Sequence, residues 1–177
     1  RGLLAAYRQD GAAAKAAFLE STKDQPRFTA GHEAYLQTLL LSGQLEGMSQ
    51  ALEFVRRAYP VLPPGLQLLE ARLQLALGKA EAGEKLLRAA QTAAPGDLKI
   101  AVALAQVLLG PLRRPDEGML LLQQVHRRAR ASFTVTRMLA EAHVGLRAIK
   151  DALQVYADSV AAHPSAALSR GYAELLA

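Results

Sequence analysis

Apolar residues recur along this chain at helical spacing, in short runs that glycine or proline interrupts. The clearest run carries Leu66, Leu69, Leu73 and Leu77, three and four places apart, which puts them on one face of a helix. Gly78-Lys79 ends that helix, and a second run with Ala82, Leu86, Leu87, Ala89 and Ala90 continues to Pro95-Gly96. Asp97 then stands as an N-cap before Ile100, Leu104, Val107 and Leu108, which lead to Gly110. Pro115-Asp116-Glu117 opens the next helix, with proline at a permitted first-turn place and acids at the positive end, and Met119, Leu122 and Val125 follow. Val135, Met138, Leu139 and Ala142 precede Gly145; Ala152, Val155, Tyr156 and Val160 precede His163-Pro164. Towards the start, Tyr35, Leu36, Leu39 and Leu40 lead to Gly43, and Ala51, Val55 and Ala58 lead to Pro60. An opening pair runs from Leu3 through Tyr7, Gly11, Ala16 and Leu19 to Pro26, and a last helix covers Ser165 to Leu176.

The punctuation is periodic. Glycines at 11, 43, 78, 110 and 145 are separated by 32, 35, 32 and 35, and Pro26, Pro60, Pro95 and Pro164 by 34, 35 and 69. Two residue types that end helices for different reasons share one period, glycine by accepting a left-handed backbone and proline by lacking an N–H. The pattern predicts an all-α chain of 10–11 helices in antiparallel pairs, with units at 1–28, 29–63, 64–96, 97–130 and 131–164 and a capping helix at 165–177. A lone pair cannot bury its own apolar face, so the units must stack into an α-solenoid.

Gly78, Gly83, Leu87, Ala90 and Pro95 form a small–small–bulky–small–proline ladder that resembles the tetratricopeptide repeat (TPR). Ala51, Val55, Ala58 and Pro63 repeat its second-helix part, and Gly118, Leu122 and Val125 repeat it more loosely. The resemblance spans the chain. The family's tryptophan is missing, the turns after Gly43 and Gly110 read about three residues longer than usual, and the 97–130 unit lacks a terminal proline. The resemblance implies a right-handed superhelix with a concave groove faced by the first helix of each pair, and a partner peptide or protein segment held there. In family register the groove residues are Glu33, Gln37, Gln67, Gln74, Lys99, Thr136 and His143, and bulky groups at Gln74 or Thr136 are expected to abolish capture without unfolding the chain.

Composition agrees with helix. Ala (35) and Leu (32) supply over a third of the 177 residues, whereas Trp and Cys are absent. Without Cys there are no disulfides, thiolate metal sites or thiol catalysis. The most apolar stretch, Ile100 to Leu112, is interrupted by Gln106, Gly110 and Pro111 and is too short to span a bilayer. No signal peptide opens the sequence, and the absence of an initiator Met points to a fragment or processed form. Charge is local: of a net +5, residues 110–150 hold eight cations against three acids. Arg113, Arg114, Arg127, Arg128, Arg130 and Arg137 form a candidate basic patch, read either as a solvated face or as a dock for an acidic segment or RNA.

Candidate chemistry is sparse. His32, His126, His143 and His163 show no metal-ligand spacing, so neither metal nor cofactor is expected. Gly78 to Gly83 has the glycine separation of a phosphate loop, but Glu84 and Leu86 replace its lysine and hydroxyl residue. No Gly-x-Ser-x-Gly occurs, and Asp116-Glu117 is a helix start. The expected function is therefore a non-catalytic protein-interaction scaffold. The alternative is an RNA or polyanion binder acting through 110–150. Against it, that stretch offers only Phe133 for stacking, and the chain's lack of Asn excludes both a pentatricopeptide base code and a two-Lys, two-Asn carboxylate clamp. Arg outnumbers Lys 15 to 6, which fits a GC-rich bacterium. By resemblance, that implies an envelope assembly, exopolysaccharide export, pilus or secretion role in the periplasm or cytoplasm.

Overall fold

The computed structural model describes residues 27–176 together with Ala16, Phe18 and Glu20. The expected opening pair lies almost wholly outside the described residues. Among those described, nine complete helices and no strand are found: α1 (Thr29–Leu41), α2 (Leu45–Ala58), α3 (Pro64–Ala76), α4 (Ala80–Ala93), α5 (Leu98–Leu109), α6 (Pro115–Arg128), α7 (Phe133–Gly145), α8 (Ile149–Ala162) and α9 (Ala166–Leu176). They fall into two compact units, one ending at Gly96 and the other beginning at Asp97. In the first unit α1 packs on α2 and α3, and α3 on α4. In the second α5 packs on α6, α6 on α7, α7 on α8, and α9 on both α7 and α8. Among the described residues no helix is long and apolar enough to cross a membrane.

Local chemistry sets the helix starts. The Asp97 carboxylate accepts from the Lys99 and Ile100 amides at 2.8 and 3.4 Å, covering two otherwise unpaired donors of α5. Pro64 and Pro115 occupy first-turn positions that need no N–H. In α6, Asp116 and Glu117 meet the positive end while His126, Arg127 and Arg128 meet the negative end.

The second helices, α2, α4, α6 and α8, share one register. Three places after the first residue stand Met48, Gly83, Gly118 and Ala152; seven places after it, Leu52, Leu87, Leu122 and Tyr156; ten after it, Val55, Ala90, Val125 and Ser159. All twelve are buried. A methyl group on Gly118 would meet the Leu109 side chain at 2.6 Å, and one on Gly83 would meet that of Leu75 at 2.9 Å, so here glycine sets the helix spacing. The first helices bury Leu66, Ile100, Val135 and Leu168 two places in. Seven places in they bury Leu36, Ala71, Ala105 and Ala140, the last three small enough for a second helix to approach.

Three expectations are corrected. The second-helix ladder in 45–58 is Met48, Leu52 and Val55, not Ala51, Val55 and Ala58, because α2 starts directly after the Gly43 turn. That turn is as short as the ones joining α3 to α4 and α7 to α8, and the α5–α6 turn is two residues longer than these. The turn glycines also differ from the expected series. The left-handed position holds Gly43 (φ 69), Gly78 (φ 76), Arg113 (φ 51) and Arg147 (φ 60), whereas Gly110 has φ −89 and Gly145 ends α7. In three of the turns the next amide reaches back five residues, Gln44 to Leu39, Lys79 to Gln74 and Ala148 to His143, capping the last carbonyls.

Candidate interaction site

Eight places into the first helices, the apolar sequence is broken by Gln37, Arg72, Gln106 and Glu141, none of them buried. They mark the accessible, open side of each first helix. In the second unit this side carries a cavity of about 510 Å³ between α5 and α7. Its floor is Leu109, Met138 and Ala142, and the exposed Leu146 stands at its edge with the rim residues Gln106, Arg137 and Glu141. Gly110, Pro115 and Gly145, beside the two turns, complete the lining. Arg137 bonds Glu141 at 3.0 Å, and the Gln106 amide donates to the Met138 sulfur at 3.8 Å. An apolar floor with an amide, a guanidinium and a carboxylate on its rim suits an apolar side chain carried on a polar backbone.

A buried polar chain links helices of the second unit. His126 Nε2 and Ser159 Oγ are 2.8 Å apart, and Ser159 Oγ is 3.2 Å from Thr136 Oγ1. Burial pushes the His126 imidazole below its ordinary pKa and Arg130 adds to this, against an opposing pull from Asp158. The chain is a structural link between α6, α7 and α8. Ser159 and Thr136 have no exposed surface, so no substrate reaches either hydroxyl.

Most of the expected groove residues are scattered or turned inward. Thr136 is fully buried in this chain of hydroxyls, which removes it from any groove. Gln67 is also buried, donating to the Leu62 carbonyl at 2.8 Å, while Glu70 one turn on pairs with Arg56. His143 faces its own hairpin, with Nδ1 4.0 Å from Asp151 on α8. Gln74 is half-buried, and Lys99 is exposed in the first turn of α5. Glu33 and Gln37 do share the open side of α1, with the Glu33 carboxylate set against Gly65 at the positive end of α3.

The six basic residues do not form one patch. Arg113 and Arg114 precede α6 and Arg127, Arg128 and Arg130 follow or end it, about 20 Å away along a helix of this length. Arg137 alone lines the cavity. Sequence reasoning missed Gln106, Glu141 and Leu146. The signal for the first two was present: Gln37, Arg72, Gln106 and Glu141 recur at intervals of 35, 34 and 35 inside apolar runs.

Antiparallel helix pairs of this length and register define the tetratricopeptide-repeat fold, and this chain has it. It is similar to a thermophilic TPR protein of Thermus thermophilus, at 19% identity and a TM-score of 0.73, over 99% of this chain and 95% of that one. It is also similar to MamA from Desulfovibrio magneticus, at 13% identity and a TM-score of 0.72, over 90% and 89%. A third similar structure is YrrB, a TPR protein with an unusual peptide-binding site, at 11% identity and a TM-score of 0.66, over 98% and 88%. No protein-family model and no curated protein matches the sequence.

Proposed function

We propose that this chain is a non-catalytic scaffold that holds a peptide or protein segment on the open side of α5 and α7. The observation that carries the reading is the cavity there, with Leu109, Met138 and Ala142 beneath a rim of Gln106, Arg137 and Glu141. Affinity would come from an apolar anchor removed from water, at about 25 cal/mol per Å², and selectivity from the rim. The peptide-binding site of YrrB, a protein of similar fold, supports the same reading. By resemblance to TPR arrays we further propose a role in a bacterial envelope assembly, exopolysaccharide export, pilus or secretion system; the arginine-rich composition supports only the bacterial source.

The test fills the cavity from residues that are exposed and therefore free to change. Gln106→Trp and Glu141→Trp should leave the helical circular dichroism intact and cut recovery of the native partner from host extracts by roughly tenfold or more. Undiminished recovery by both variants would exclude this face.

A further inference from the structure

Tight turns between the helices of a pair close through one left-handed residue, a conformation open to glycine and strained for other side chains. The first unit uses Gly43 and Gly78, where an added Cβ would meet nothing within 4 Å, so only the backbone calls for glycine. The second unit uses arginine at both equivalent places, Arg113 (φ 51) and Arg147 (φ 60). Both are exposed, and neither pairs with an acid among the described residues. Among the neighbouring acids, Glu117 lies 3.4 Å from Arg114, Glu141 3.0 Å from Arg137 and Asp151 4.0 Å from His143, while Asp116 stands exposed in the α6 first turn. These two turns also bound the α5–α7 cavity, since Gly110 and Pro115 flank Arg113, and Gly145 and Leu146 lead into Arg147.

We propose that the cavity selects an acidic segment: an apolar side chain seats on the floor and adjoining aspartates or glutamates meet Arg113 and Arg147. Charge complementarity argues for this occupant, because the rim pair Arg137–Glu141 and the Arg114–Glu117 pair are each neutralised, whereas Arg113 and Arg147 stand exposed at the turns beside the cavity with no ion pair to an acid among the described residues. A cation beside a helix C-terminus also interacts well with the helix dipole, which is the purely structural explanation for both arginines. The two explanations diverge in a Gly variant. A structural cation would lower stability on removal, whereas a binding cation would leave stability level or improved and weaken capture.

The inference rests on the cavity being a peptide site, and the experiment separates the two. Random displayed peptides are selected on the wild-type chain, and the enriched sequences are synthesised and measured by fluorescence anisotropy. The measurement covers the wild type, the Arg113→Gly/Arg147→Gly variant and Gln106→Trp. Enriched peptides should place Asp or Glu beside Leu, Ile, Met or Phe and lose about tenfold in affinity on the double variant. They should also weaken as salt rises, while the thermal midpoint of the double variant stays level or increases. Enrichment without acidic bias, equal affinity for the double variant, or a fall in its thermal midpoint would overturn the inference. So would a uridine homopolymer that binds as tightly as the peptides. Peptides blocked by Gln106→Trp yet indifferent to the arginines would leave the cavity reading standing. Peptides indifferent to both substitutions would remove it as well.

Discussion

Ser159 accepts or donates twice inside the second unit, and that small chain of hydroxyls and imidazole governs how single residues there respond to change. Thr136 has no exposed surface, so Thr136→Trp should unfold the second unit, costing about 3 kcal/mol or more through overpacking and a lost buried hydrogen bond. Denaturant titration checks this, and native-like stability would contradict the placement. This reverses the expectation from family register, where Thr136 belonged to the groove. The sequence shows a threonine in an apolar helix, but its partner lies 23 residues away on α8, beyond any local pattern. His126 makes a second prediction. Its folded pKa lies below the ordinary 6.5, chiefly because burial penalises the imidazolium. The unfolded chain therefore binds the proton first, so this contribution to stability is complete above pH 6.5 and is lost as pH falls towards the folded value. The urea midpoint should drop across that window and flatten in His126→Gln; an unchanged slope in the variant would show that other groups govern it.

At the scale of helices, spacing between partners is set by the smallest residues at the crossing. Gly118 sits against Leu109, where any Cβ would lie 2.6 Å from the leucine Cγ and 3.3 Å from its backbone nitrogen. Gly118→Leu should therefore pry α6 from α5 and cost roughly 2–3 kcal/mol. Gly96→Ala, a position with open space around it, should change stability by less than about 0.5 kcal/mol. Equal thermal midpoints for the two variants would count against close helix approach. Much at this scale was legible. Pro64, Asp97, Pro115 and Gly145 stand within a residue of observed helix ends, because caps and breakers act locally. The α2 register was not legible, since Ala51 and Ala58 mimic a small-residue ladder in an alanine-rich chain while Met48 fills the place that glycine takes in α4 and α6. Nor were the turns at Arg113 and Arg147, where arginine occupies a conformation in which reasoning from residue preference looks for glycine.

For the molecule as a whole, the sequence period exposed the all-α repeat fold, and the three similar solved structures named above share it at 19%, 13% and 11% identity. The cavity was harder to read, for a geometric reason. It is assembled from the open sides of two helices whose lining residues, Gln106 and Glu141, are 35 positions apart, and each alone resembles a solvated polar residue. The division at Gly96 was also hidden, because Pro95-Gly96 carries the same punctuation as the other unit ends. The most direct test of where a partner binds is positional. A photo-crosslinking amino acid placed at Gln106 or Glu141 of the chain in its host should join covalently to the partner. At the exposed Leu120 of α6 or Gln154 of α8, on second helices, it should not. Adducts from Leu120 or Gln154 with none from Gln106 or Glu141 would contradict the assignment of the α5–α7 face.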